Sequence, residues 1–154
     1  PPSDGDARRL DRVLRAAARA VLTDADAEPG ALTLQLVSDA VIRRLNRDFL
    51  GHDYATDVLS FPADQDDGDA RYFGDLTISM ARARAQARAG GHPLDDEFRL
   101  LVVHGVLHLL GHDHDTPTHQ RRMWRAQARV LTALGASITG PQDVHVRGIR
   151  PAGK

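Results

Sequence analysis

His104-Gly-Val-Leu-His108-Leu-Leu-Gly111-His-Asp-His114 closes a long apolar run in this chain, and its reading decides the fold. On a helix, residues four apart project from nearly the same side, so His104 and His108 can address one ion. Gly111 can take the left-handed conformation that ends a helix. The chain then turns back, and His114 can supply a third imidazole; His112 follows Gly111 too closely to swing back. Three neutral imidazoles and a water make an open zinc site, the form that does chemistry. Nickel or copper would accept the same nitrogen shell. A lone histidine on an apolar helix face is more often a satisfied core residue. Two at this spacing, with a third beyond a glycine turn, favour ligation.

The spacing also matches the zinc-protease pattern H-E-x-x-H-x-x-G-x-x-H, but Gly105 stands where the glutamate belongs. That glutamate is the general base of such proteases, so its absence argues against ordinary peptide hydrolysis and leaves the metal intact. Upstream, Phe98, Leu100, Leu101, Val102, Val103, Val106 and Leu107 are apolar on nearly every side of a helix. That describes a helix buried in the domain. Pro93 suits its start, and Asp95, Asp96 and Glu97 suit its positive end. The histidines would then sit on the most rigid element, which fixes their geometry.

Working outward, Ala81 to Ala89 reads as a short helix stopped by Gly90-Gly91. Its Arg84 and Arg88 share a face, either solvated or a candidate phosphate or RNA contact. Gly74 to Met80 and Val58 to Phe61 read as strands, and 63–71 as an acidic surface loop. Leu32, Leu34 and Leu36 alternate with polar neighbours, as a half-buried strand should. Two amphipathic helices flank that strand, one carrying Leu10 to Leu22, the other Val41, Ile42, Leu45 and Phe49. Ser38 or Asp39 can cap the second, and Pro1 to Asp6 read as a loose lead-in. Downstream, Thr116-Pro117 opens a last helix in which Trp124 is assigned to the core, and 140–154 reads as a disordered tail. The order gives an α+β fold: a small mixed β-sheet packed with helices around a central buried metal-ligand helix, with a zincin-like site.

The chain has 154 residues, enough for one domain with a real core about 7–135. A net charge of -1 gives no bulk electrostatic case for nucleic acid, so such binding must use a local patch. With no cysteine there is neither a disulfide framework nor a thiolate site. No apolar run approaches membrane-spanning length and no signal peptide is visible, so a cytoplasmic protein with no membrane partner is expected. Pro1 in place of methionine suggests a trimmed start.

Three segments carry a resemblance. The run from His104 to His114 resembles the signature H-G-x-L-H-L-x-G-x-D-H of the YbeY endoribonucleases, matching at each fixed position. Asp53 to Pro62 is similar to that family's D-x-x-T-[DN]-V-L-S-F-P, and Gly74-Asp75-Leu76 to its G-D-[IL]. The resemblance implies that His104, His108 and His114 hold one Zn2+. It implies metal-dependent cleavage of single-stranded RNA in ribosomal RNA maturation and ribosome quality control. The implied partners are the ribosome and its RNA, with a ribosomal protein or assembly GTPase. One position departs: the family usually has an arginine, held to engage RNA, where this chain has Leu50, and Arg47 is the nearby basic candidate. That departure keeps open a ribosome-associated metal-binding protein with vestigial catalysis; a metallopeptidase is the weaker rival. Asp113 can orient a ligand imidazole or cap the turn after Gly111. Thr56, Asp57 and Ser60 can line the cleft, or serve as caps and turn bonds beside a strand.

Overall fold

The computed structural model describes residues 3–64, 71–139 and 146–148. The elements follow in the order α1 (Asp4–Asp24), β1 (Gly30–Val37), α2 (Asp39–Leu50), β2 (Val58–Pro62), β3 (Arg71–Ser79), α3 (Met80–Gly90), α4 (Leu94–Leu109), α5 (Pro117–Ala133) and β4 (Val146–Gly148). Hydroxyl caps set four helix starts. Ser3, Ser38, Ser79 and Thr116 accept the backbone N–H of Asp6, Val41, Arg82 and His119, each satisfying a donor that the first turn leaves without a partner. The Ser3 cap starts α1 at Asp4, so the expected lead-in through Asp6 is corrected to helix there.

The sheet is small and mixed, as expected, in the order β1-β3-β2-β4. β3 runs parallel to β1 and antiparallel to β2, while β4 runs parallel to β2. β4 falls inside the stretch read as a disordered tail, and at 146–148 that reading is corrected. The outer edge of β2 offers unpaired backbone groups, which any extended segment can satisfy without a periodic sequence. The rest of the expected tail, 140–145 and 149–154, lies outside the described residues, as does 65–70 of the acidic loop. At that loop's ends, Ala63 N–H donates to Phe73 C=O and Arg71 already belongs to β3.

One face of the sheet receives α4. Val58, Ser60, Leu76 and Ile78 lie on that face in register, and Ser60 Oγ donates to Gly105 C=O at 3.4 Å. Gly105 permits the close approach, because a Cβ there would lie 2.3 Å from Leu76 Cδ1. α1 and α5 cover α4 from the other side through Leu14, Ala17, Val21, Met123, Val130 and Leu131. α4 is therefore enclosed, as its all-round apolar pattern requires. α2 takes the opposite sheet face, where Phe49 meets Phe61 edge-on at 5.7 Å. Its buried positions are Ile42 and Asn46, while Phe49 stays 59% exposed, contrary to its assignment to the apolar face. Among the described residues, no helix is long and apolar enough to cross a membrane.

Candidate metal centre

The last turns of α4 carry His104 and His108, and the glycine turn folds the chain back over them. Gly111 adopts φ 96°, in the left-handed region that favours glycine. Gly111 N–H donates to His108 C=O and His112 N–H to Leu107 C=O, both at 3.0 Å. These bonds satisfy carbonyls that the helix end would leave bare. Asp113 Oδ1 then accepts the N–H of His114 at 2.7 Å, fixing the turn that carries the third histidine. Ring centroids lie 5.2 Å apart for His104 and His108, 5.4 Å for His108 and His114, and 6.2 Å for His104 and His114. One ring nitrogen from each lies within 4.8 Å of the others. An ion with bonds of about 2.0–2.1 Å would draw them together by side-chain rotation. His112 is not part of this cluster; it faces Asp115, His119 and Arg122 instead.

The bonding of the two helical histidines fits a metal. His104 is 4% exposed, and its Nδ1 lies 2.6 Å from Oε1 of Gln127 on α5. Its Nε2, and the Nε2 of His108, are buried without a hydrogen-bond partner among the described residues. Each such orphan costs about 1–3 kcal/mol unless something fills the position. Burial is also the main reason both rings resist protonation. It pushes His104 below its ordinary value, only partly opposed by the Gln127 hydrogen bond. It takes His108 down to about 4, with His104 and His114 adding to the effect. Both rings are therefore neutral at pH 7, the form that ligates. His114 is exposed, which leaves the open side of the cluster toward solvent.

The other candidate residues are spread apart. Thr56, Asp57 and Ser60 are buried beside the strand, with Asp57 Oδ1 accepting Val58 N–H at 2.9 Å, and Asp57 lies close enough to favour the charged form of His104. Arg47 is exposed on the last turn of α2, paired with Asp48 at 3.0 Å, and Leu50 ends that helix half-buried. Arg84 and Arg88 are exposed on α3. Arg84 borders a groove with Leu94, Asp95 and Phe98 at the far end of α4. From Phe98 to His104 the helix rises about 9 Å. Trp124, assigned to the core, is half-buried, and Gln127 takes the fully buried place on α5. Gln127 is the site residue that the sequence reading missed. No local spacing links it to His104, 23 residues earlier.

Fold and site together define an α+β protein with three histidines able to hold a metal ion, two on a buried helix and one on the turn beyond it. The chain belongs to the YbeY family: the model described as Endoribonuclease YbeY matches residues 4–135. A protein named Endoribonuclease YbeY from Solibacter usitatus is 50% identical over 103 residues, covering 64% of this chain and 67% of its own. Another of that name, from Roseiflexus castenholzii, is 44% identical over 135 residues, covering 83% of this chain and 85% of its own. The solution structure of TM1509 from Thermotoga maritima matches with a TM-score of 0.56 at 23% identity, covering 92% of this chain and 93% of that one. That likeness shows the fold alone.

Proposed function

We propose that this protein is a zinc-dependent endoribonuclease. Its substrate is single-stranded RNA in ribosomal RNA maturation and ribosome quality control, in the cytoplasm. Family membership supports the RNA-hydrolase activity. The observation that carries the metal reading is the pair of buried, partnerless Nε2 atoms on His104 and His108, facing an exposed His114. His104, His108 and His114 would hold the ion through ring nitrogens. Bound zinc supplies Lewis-acid stabilisation of charge on a phosphoryl oxygen and acidifies water. The chain's own part is to fix two ligands on an enclosed helix and to leave the His114 side open for a phosphodiester. The Gly111 turn and the Asp113 bond to His114 hold the third ligand against that opening. Arg47, Arg84 and Arg88 are candidate RNA contacts on the exposed surface, and a ribosomal protein or assembly GTPase is the candidate protein partner.

A peptidase finds no support at Gly105. The Cβ direction there runs into Leu76 of the core, which leaves no room for a glutamate base. The second reading, a ribosome-associated metal-binding protein with vestigial catalysis, has Leu50 in its favour. The deciding experiment is cleavage of a ribosomal RNA fragment by the purified protein beside His108→Ala. Cleavage by the parent alone is expected. Equal cleavage by both means contaminating nuclease. One zinc per chain with no cleavage by either favours the binding-protein reading and makes Leu50→Arg the next variant.

A further inference from the structure

We infer that Gln127 is a positioning residue for the metal centre, selecting the tautomer of His104 that presents a lone pair to the ion. The inference rests on the metal reading above. His104 has two ring nitrogens in a dry environment, and in the neutral ring one carries the proton. Gln127 Oε1 lies 2.6 Å from Nδ1 and, as a carbonyl oxygen, can only accept. The proton therefore sits on Nδ1, and Nε2 keeps its lone pair. Nε2 is also the atom that is buried without a partner among the described residues, on a ring that lies beside those of His108 and His114. In the reverse arrangement, with the amide NH2 donating to Nδ1, the proton would move to Nε2 and block ligation.

The bond is built to hold. Gln127 is 1% exposed and His104 4%, so water cannot compete for either group. Gln127 sits among Met123, Ala126, Val130 and Leu131, the buried side of α5. A glutamine on this face finds its acceptor role met by a residue of another helix. An outer partner of this kind orients a ligand ring, and its removal typically costs about 10–100-fold in metal affinity.

The test uses three readouts besides cleavage. First, long-range 1H–15N spectra of the metal-free parent should show His104 as the Nδ1–H tautomer; an Nε2–H ring overturns the inference with no variant needed. Second, zinc affinity is measured by chelator competition for the parent, Gln127→Met and Gln127→Glu. Methionine keeps the volume and loses the acceptor, so affinity should fall about 10–100-fold. Glutamate keeps an acceptor oxygen and should retain affinity within about threefold of the parent. Third, the Co2+-loaded Gln127→Met protein should show altered visible absorption bands, which loss of packing alone would not produce in a protein that melts like the parent. Parent-like zinc affinity in a folded Gln127→Met overturns the positioning role and leaves the metal reading standing. A parent that binds no metal overturns the metal reading, and this inference with it.

Discussion

α4 buries polar groups at both of its ends, and the two ends treat them differently. At the N-terminal end, Glu97 is 3% exposed; it receives Gln86 Nε2 at 3.0 Å and meets His92 Nε2 at 3.1 Å. Beside it, Asp96 accepts the N–H and hydroxyl of Ser137 at 3.0 and 2.6 Å and Arg99 at 2.7 Å. Each carboxylate oxygen there has a partner. At the C-terminal end, His104 is matched on one nitrogen by Gln127, and the other nitrogen, with that of His108, has none. Buried polar groups that serve only the fold are mostly matched, with Asn46 Oδ1 an exception among the described residues. Two unmatched atoms on one helix, beside a third histidine, fit the metal position proposed above.

The sharpest way to break this contrast is His108→Ala. It should abolish zinc binding by chelator competition and lower RNA cleavage by about 1000-fold or more, since it removes a metal ligand. The metal-free protein should lose little stability, because the deletion also removes an orphaned nitrogen. A variant that still binds zinc like the parent would end the three-histidine reading. Asp96→Ala is the opposite experiment at the other end. It strands the Ser137 donors and Arg99, and should cost about 3 kcal/mol. Thermal unfolding should shift down by roughly 10 °C for a chain of this size. Zinc affinity should stay within about threefold of the parent, measured below the melting point.

The two ends also differ in how much of them was legible in the sequence. The histidine end was, because its information is local: four-residue spacing, one glycine, a short turn. The enclosed character of α4 was equally plain from its all-round apolar pattern. The partners of the buried polar groups were not. Gln127 and Ser137 reach their targets from 23 and 41 residues away, and only the packed fold brings them there. The same reason explains Phe49 and Trp124. Apolar character placed Phe49 on the apolar side of its helix and Trp124 in the core, but α2 turns Asn46 inward, where its Nδ2 donates to Tyr54 C=O at 2.9 Å, and α5 turns Gln127 inward. A polar side chain with a partner on another element can displace an apolar one from a buried place, and helical periodicity does not reveal the partner. β4 was missed because its pairing comes from the open edge of β2 and not from any pattern of its own.

Acid should sharpen the contrast further. Burial, with His104 and His114 nearby, holds His108 at about 4 against an ordinary 6.5. Between those values the unfolded chain binds the extra proton and the folded one does not. Stability of the metal-free protein therefore falls as pH drops from 6.5 toward 4, by up to about 3 kcal/mol, and is unaffected by this group above that window. Asp96 has the same sign in a lower window. Burial raises its pKa, but the Ser137 hydroxyl and N–H and the Arg99 guanidinium outweigh that and leave it below 3.8. Its contribution is intact above 3.8 and is lost only as pH falls through the lowered value. Urea midpoints at pH 7, 5.5 and 4.5 should decline for the parent and decline less for His108→Ala. Identical slopes would mean that His108 is not held neutral.

The smallest effect belongs to Gly105→Ala, beside His104, where helix propensity and packing compete. Alanine is favoured over glycine inside a helix by about 1 kcal/mol. Against that, the new methyl would meet Leu76 Cδ1 at 2.3 Å, Cδ2 at 3.1 Å and Cγ at 3.2 Å. Leu76 is fully buried, so it cannot rotate away without disturbing its neighbours. Overpacking of this kind costs about 1–3 kcal/mol, so packing should win by about 1 kcal/mol. Zinc affinity should hardly move if α4 tilts as a rigid unit, because His104, His108 and Gly111 travel together on it. A stabilised Gly105→Ala would show that α4 does not press on Leu76 as described. It would also reopen the one position where a protease would carry its glutamate.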